Sequence, residues 1–221
     1  TDEYEESVDR GVDQVTRLLS KIRTIAAYTN KKMIGQPFVY PIDKLPFCTN
    51  FLHMLFSVPS ESYIVPPDHD KLLNQLWILY GDHEQNVAAT TVQLGGSTKA
   101  NLFASISAGI SALWGSREGG QSVAAVELLE NILKSGKDYK SYLNDPAIKS
   151  ELVKANFLGH EAYKAKSPRA IVAREIFQEF FKTHHSPLVD LAFEVDDYIT
   201  NESFFKDQNL YPNLEFYSGI L

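Results

Sequence analysis

The residues able to do chemistry in this chain fall into a few short blocks. Asp82-His83-Glu84-Gln85-Asn86 follows an apolar run at 72–79, and Arg117-Glu118 sits in a glycine-flanked loop, Gly115-Ser116-Arg117-Glu118-Gly119-Gly120. His160 follows Gly159, Arg169 follows Ser167-Pro168, and His184-His185 form a pair. Imidazoles and carboxylates move protons or hold metals, and a guanidinium grips carboxylates. Each block also has a plainer reading. Asp82, His83 and Glu84 are neighbours, and neighbouring side chains on a helix point apart, so no metal is expected there. Glu118 beside Arg117 reads first as a solvated or ion-paired loop carboxylate. His160 reads equally well as a packing residue, and His184-His185 as a solvated helix end. Arg169 is structural unless an anion lies beside it. The single Cys48 has no basic neighbour in sequence and reads as an inert buried thiol.

The elements that must position these blocks are helices. Apolar residues at Val12, Val15, Leu18, Leu19, Ile22 and Ile25 have the spacing of an amphipathic helix over 8–28. Pro37, Pro41 and Pro46 forbid regular helix and predict an extended connection over 36–46. Helical character resumes at 49–58, and Asp68 is placed to cap the helix that follows Pro66-Pro67. Two further runs, 87–94 and 99–114, frame Gly95-Gly96. The second is rich in Ala and Ser, which let backbones approach closely, so it reads as a buried central helix with Leu102, Ile106, Ile110 and Leu113 inside. Beyond Gly120, helices are predicted over 122–134, 139–143 and 146–153. Two more open at Pro168 and Pro187, where proline suits a first turn. Strand signals are weak throughout. The expectation is an all-α fold.

Composition excludes several classes. At 221 residues the chain has ample volume for a core, and 44% hydrophobic with 22% charged residues is ordinary for a globular protein. A net charge of −7 lacks the basic footprint of a nucleic-acid binder. No apolar run reaches the roughly 18–20 residues of a transmembrane helix. One cysteine allows no intrachain disulfide and points to an intracellular, reducing compartment, cytoplasm or mitochondrial matrix. The first residues are acidic, unlike a targeting segment, and the chain does not begin with Met, so the true beginning is expected to be missing from this sequence.

Asp-His-Glu-Gln-Asn, then Gly109-Ile110-Ser111-Ala112-Leu113-Trp114-Gly115 and the Gly119-Gly120 loop, resembles citrate synthase and 2-methylcitrate synthase of the bacterial type. The likeness extends to Gly35-Gln36-Pro37-Phe38-Val39-Tyr40-Pro41, Gly159-His160, Tyr163-Lys164, Ser167-Pro168-Arg169-Ala170, Leu210-Tyr211-Pro212-Asn213 and Phe216-Tyr217-Ser218-Gly219. These blocks keep the family's order and span nearly the whole chain. The resemblance implies a large helical domain portion over 1–119 and a smaller one over 120–221, substrate between them, and no covalent cofactor. It implies an acyl-CoA substrate condensed with oxaloacetate, and a homodimer or larger assembly built across helices such as 100–112.

The same resemblance shows where this sequence departs from the family. Condensation needs a base for a carbon-bound proton, a neutral donor for the enol and an acid near the keto oxygen. The family's donor is a loop histidine, and Glu118 stands in its place. Its base is an aspartate, here Glu215; His160 is kept, but the following arginine is Glu161. Among substrate contacts His83 and Arg169 match, whereas a family arginine is Gln93 and a family histidine is Tyr80. Two further carboxylate-binding arginines would lie beyond Leu221. These changes shift the site toward negative charge, and one added carboxylate about 5 Å from a substrate carboxylate opposes binding by roughly 3 kcal/mol at an effective dielectric near 20. The expectation is therefore a catalytically degenerate homologue with a structural or assembly role and weak affinity for oxaloacetate. The alternative is an active acyl-CoA condensing enzyme using Glu215 as base.

Overall fold

A computed structural model describes residues 2–82, 85–155, 157–159 and 163–220, with side chains from residue 11 onward. Helices account for all its regular structure. They are α1 (Asp2–Met33), α2 (Phe47–Phe56), α3 (Pro67–Tyr80), α4 (Val87–Ser97), α5 (Leu102–Ala112) and α6 (Gln121–Ser135). After these come α7 (Tyr139–Leu143), α8 (Pro146–Leu152), α9 (Pro168–Phe181), α10 (Pro187–Asn201), α11 (Ser203–Asp207) and α12 (Leu214–Ser218). No strand forms among the described residues; two isolated bridges, Val58 with Glu61 and Leu158 with Pro212, are the only β pairing there. The all-α expectation is met. No helix of the described residues is long and apolar enough to cross a membrane.

The chain divides into two compact units, 1–75 and 76–221, the division falling within α3. The expected hand-over near Gly119 lies inside the second unit.

In the first unit α1 packs on α2. The extended 36–46 segment has no helix bonds of its own and is tied down by side chains. Asn50 both accepts from Ile42 N at 3.0 Å and donates to Ile42 O at 2.8 Å. Phe38 stacks on Tyr28 with ring centroids 4.4 Å apart. Lys31 is fully buried and donates to Gln36 Oε1 and to Ser57 O, each at 2.6 Å. Cys48 is buried, and burial, then Asp70, push its thiol up to about 11 against the pull of Arg23. A thiol so held is not a nucleophile at neutral pH. The apolar stripe of α1 is only partly covered: Leu18 and Ile22 are half-buried, whereas Val12, Val15, Leu19 and Ile25 are exposed.

The second unit has its core where α6, α9, α10 and α12 meet. Leu129 and Ile132 of α6, Phe177 of α9, Val195 and Ile199 of α10, and Phe216 and Tyr217 of α12 are buried there. Local sequence explains the helix starts. Asn86, Asn101, Asp145 and Asn213 each accept from a backbone N–H of the first turn, filling a donor that the helix leaves unpaired. Gly136, in the left-handed region at φ 63°, ends α6.

One expectation fails here. Helix α5 is not a buried central helix. Only Ser105 and Gly109 are buried on it, while Leu102, Ile106 and Leu113 are half-buried and Ile110 is exposed. The small residues do bring two backbones together, and the helix they meet is α4. A Cβ on Gly109 would stand 2.6 Å from Val92 Cγ2, and one on Gly95 would stand 3.1 Å from Ser105 Oγ. The α4–α5 pair is therefore a close two-helix hairpin with an uncovered outer face. Helix α4 also runs through Gly95-Gly96 to Ser97 instead of stopping at the glycines.

Candidate functional site

A cleft of about 820 Å³ opens in the second unit. Three of the residues singled out from sequence line it: Glu118, Arg169 and Glu215. His83 and His160, with Glu84 and Glu161, lie outside the described residues.

Each of the three comes from a different element. Glu118 sits in the turn after α5, where its N–H donates to Gly115 O at 3.1 Å and its carbonyl accepts from Gln121 N at 3.2 Å. The glycines around it are spatial requirements. A Cβ on Gly119 would lie 2.6 Å from Leu113 O, and one on Gly120 would lie 2.9 Å from Ser116 Cα. The side chain of Glu118 is exposed, and a carboxylate in water accepts hydrogen bonds but offers none. Glu215 stands half-buried in the first turn of α12, whose Asn213 cap is held by Gln121 at 3.2 Å. Gly219, the C-cap, lets the other end of α12 meet α6, since a Cβ there would lie 2.5 Å from Ser122 O. Arg169, in the first turn of α9, is half-buried and donates to Leu79 O at 3.2 Å. That contact is the structural role expected of it; its place in the cleft wall leaves the other role open to it.

Tyr80 joins this group. Its hydroxyl meets Ser218 Oγ at 2.7 Å, tying the end of α3 to α12. Burial, then the Glu215 carboxylate, push its phenol up to about 12, with Ser218 and Arg169 pulling the other way. Tyr80 is thus a neutral hydroxyl in the electrostatic reach of both Glu215 and Arg169. Gln93, at the other substituted position, accepts from Gln85 at 2.5 Å and so fastens the loop before α4.

The charge of the cleft differs from the expectation. The described lining carries four cationic side chains, Arg117, Lys154, Lys164 and Arg169, against two carboxylates, Glu118 and Glu215. The sequence reading counted only the substituted positions: it passed over Lys154, and it took Tyr163-Lys164 as part of the likeness without counting the charge of Lys164. The negative surround is not what the described lining shows; a concave wall with this balance favours anions.

Below the cleft floor, α12, α9 and the segment before α9 converge on one buried carboxylate. Asp196 of α10 is fully buried. It accepts from Lys166 Nζ at 2.5 and 2.7 Å, from Arg174, from Thr200 at 3.1 Å and from the Tyr217 hydroxyl. Burial opposes the Arg174 charge, but Asp197 and Asp196 outweigh it and raise its pKa. Burial, with Asp196 next, raises that of Tyr217 and keeps the phenol neutral. No spacing in the sequence pointed to this network.

The helical fold and the cleft bounded by α9, α12 and the 116–120 turn are the features to set beside known proteins. The whole chain, residues 1–221, matches the citrate synthase C-terminal domain, and it belongs to the citrate synthase family. Citrate synthase 1 of Mycobacterium tuberculosis is 41% identical over 207 residues, covering 93% of this chain and 48% of the relative. The chain thus spans about half the length of the curated relatives it matches. The crystal structure of citrate synthase from Pyrobaculum aerophilum superposes with a TM-score of 0.71 at 30% identity, covering 92% of this chain and 49% of that one. Citrate synthase from Thermoplasma acidophilum, solved as a ternary complex with carboxymethyl coenzyme A and oxaloacetate, gives a TM-score of 0.76 at 24% identity, with 92% and 51% covered. That last likeness speaks to the fold alone.

Proposed function

We propose that this chain is a catalytically degenerate citrate-synthase-family protein that keeps a cationic, anion-accepting cleft and serves a structural or assembly role. The observation that carries the reading is Glu118, an exposed carboxylate in the cleft wall at the position of the family's neutral loop donor. An acceptor-only group facing a developing enolate repels it, and loss of one such donor typically costs about 10²–10³ in rate before repulsion is counted. The four cationic lining residues support retention of an anionic occupant, an acyl-CoA or a dicarboxylate. The uncovered apolar face of α4–α5 supports self-association as a homodimer or part of a larger assembly. The turn at 116–120, joining a large portion (1–119) to a smaller one (120–221), is part of the same proposal. So is residence in a reducing compartment, which the single buried Cys48 supports.

A second reading has its own support. An identity of 41% to a citrate synthase over 93% of the chain favours an active enzyme, with Glu215 as base and Tyr80 as a neutral donor. Thiol release from acetyl-CoA, measured with and without oxaloacetate, separates the two. No oxaloacetate-dependent release is expected; turnover near 1 s⁻¹ or above, within the usual enzyme range, overturns the degenerate reading.

A further inference from the structure

We infer that Asp196 is a positioning residue for the cleft, acting through Tyr217 on Glu215 and through Lys166 and Arg174 on the opposite wall. The inference rests on the proposal that the cleft accepts an anion.

The argument begins with α12. A helix of five residues does not hold its shape alone, because nucleation is costly and only a bond or two follows. Glu215 therefore stands where the tertiary contacts of α12 put it. Residues 215 and 217 lie roughly 200° apart around a helix, so when Tyr217 points into the core Glu215 points away from it, toward the cleft. Tyr217 is fully buried, and its hydroxyl ends on the Asp196 carboxylate. Phe216 and the Asn213 cap fix the helix at its start, and Tyr217 fixes its rotation.

The same carboxylate reaches the other wall. Lys166 follows Lys164 by two residues, and Arg174 follows Arg169 by five on α9. Lys164, Arg169 and Glu215 all line the cleft. One buried anion thus ties down the anchors of two cations and one carboxylate that face the ligand space. A buried carboxylate without partners is costly, and one with several charge-assisted bonds is rigid. Two buried or half-buried cations on one buried anion, with Arg174 also paired to exposed Asp197 at 2.7 Å, fix the geometry more than a hydrophobic contact would.

The test is a double-mutant cycle read by calorimetric titration of oxaloacetate, and separately of coenzyme A, into the full chain. Tyr217→Phe keeps the ring in the core and leaves Asp196 its bonds to Lys166, Arg174 and Thr200. It is expected to fold, with an unchanged far-ultraviolet spectrum, and to shift the oxaloacetate dissociation constant by roughly fivefold, a coupling within the range for interacting neighbours. In a Glu215→Gln background the same change is expected to shift it less than about twofold, because the group it positions has lost its charge. Equal shifts in both backgrounds overturn the inference and leave the anion-accepting cleft standing. Failure of the unmodified chain to bind either probe overturns the cleft proposal itself. Asp196→Asn gives the second arm. If it folds, it weakens binding of both probes more than Tyr217→Phe does, and an effect no larger than that of Tyr217→Phe counts against the second wall. If it does not fold, the Tyr217 and Glu215 cycle decides alone.

Discussion

At position 118 the sequence and the structure make the same point from different sides. The family resemblance locates Glu118 where a neutral donor is needed, and the structure puts its side chain exposed in the cleft wall. Restoring an imidazole there does not restore the rest of the site, since Gln93 is already fastened to Gln85 and Glu215 keeps its longer arm. Glu118→His is therefore expected to leave condensation below detection in the thiol-release assay, and turnover in that single variant places the whole deficit at this residue. Two tyrosines, Tyr80 bonded to α12 and Tyr217 within it, carry a separate prediction. Tyr80, pushed up to about 12, and Tyr217, raised further by burial and Asp196, hold their protons in the folded state at pH values where unfolded tyrosine, near 10, has lost them. Above pH 10 the unfolded chain binds fewer protons than the folded one, so stability falls as pH rises through that range and is unaffected by these groups below it. Urea denaturation between pH 9 and 11.5 is expected to show the decline, and Tyr217→Phe to flatten part of it.

Among the elements, the helices were legible and their burial was not. Periodicity, prolines and caps gave 139–143 to the residue and the starts at Pro168 and Pro187, because these signals are local. Helix α5 shows the limit. Its Ala and Ser residues rightly announced a close approach, but composition does not say how many neighbours approach, and here the close partner is α4. Glu118 and Arg169 stood out by residue type, but their meeting with Glu215 in one cleft was legible only through the resemblance. Lys154, the place of Lys164 in the cleft wall and the Asp196 network were not, because they are brought together by packing between segments far apart in sequence. The α4–α5 hairpin gives a paired test. Gly109→Ala puts a methyl 2.6 Å from Val92 Cγ2, a side chain stiff at χ1, and is expected to cost about 1–3 kcal/mol. Gly96→Ala in the same hairpin meets nothing within 4 Å and is expected to stabilise by about 0.5–1 kcal/mol through helix propensity. Opposite shifts in urea midpoint, with the slope unchanged, are the expected outcome. Equal behaviour of the two would mean that the hairpin is not packed at Gly109.

For the molecule as a whole the distribution of apolar surface is the informative quantity. Scattered exposed apolar residues are normal, but contiguous ones on a packed element call for a partner. On α4–α5 and the turn beyond, Leu94 is 69% exposed, Ile110 52% and Trp114 87%, with Val87 and Phe103 exposed as well. The pair is rigid, since Gly109 and Gly95 seat it at close range, so the face is presented in a fixed shape. Its rim offers hydroxyls already bonded within their own helix: Ser107 donates to Phe103 O at 2.7 Å and Ser111 to Ser107 O at 2.9 Å. Burying them against another surface leaves no unsatisfied donor, which removes the usual obstacle to docking a polar helix face. A second copy is the economical occupant, because a twofold contact uses the same patch twice and closes on itself. A stable contact of this kind buries about 1,200–2,000 Å² in total. Multi-angle light scattering at about 10 µM is accordingly expected to give twice the chain mass of 24.9 kDa. Ile110→Asp, placed at the centre of the face, is expected to return the monomer without loss of helicity, since a carboxylate there costs nothing in water and several kcal/mol when buried unpaired. A monomer at that concentration in the unmodified chain, or a dimer that survives Ile110→Asp, would remove this face as the site of assembly.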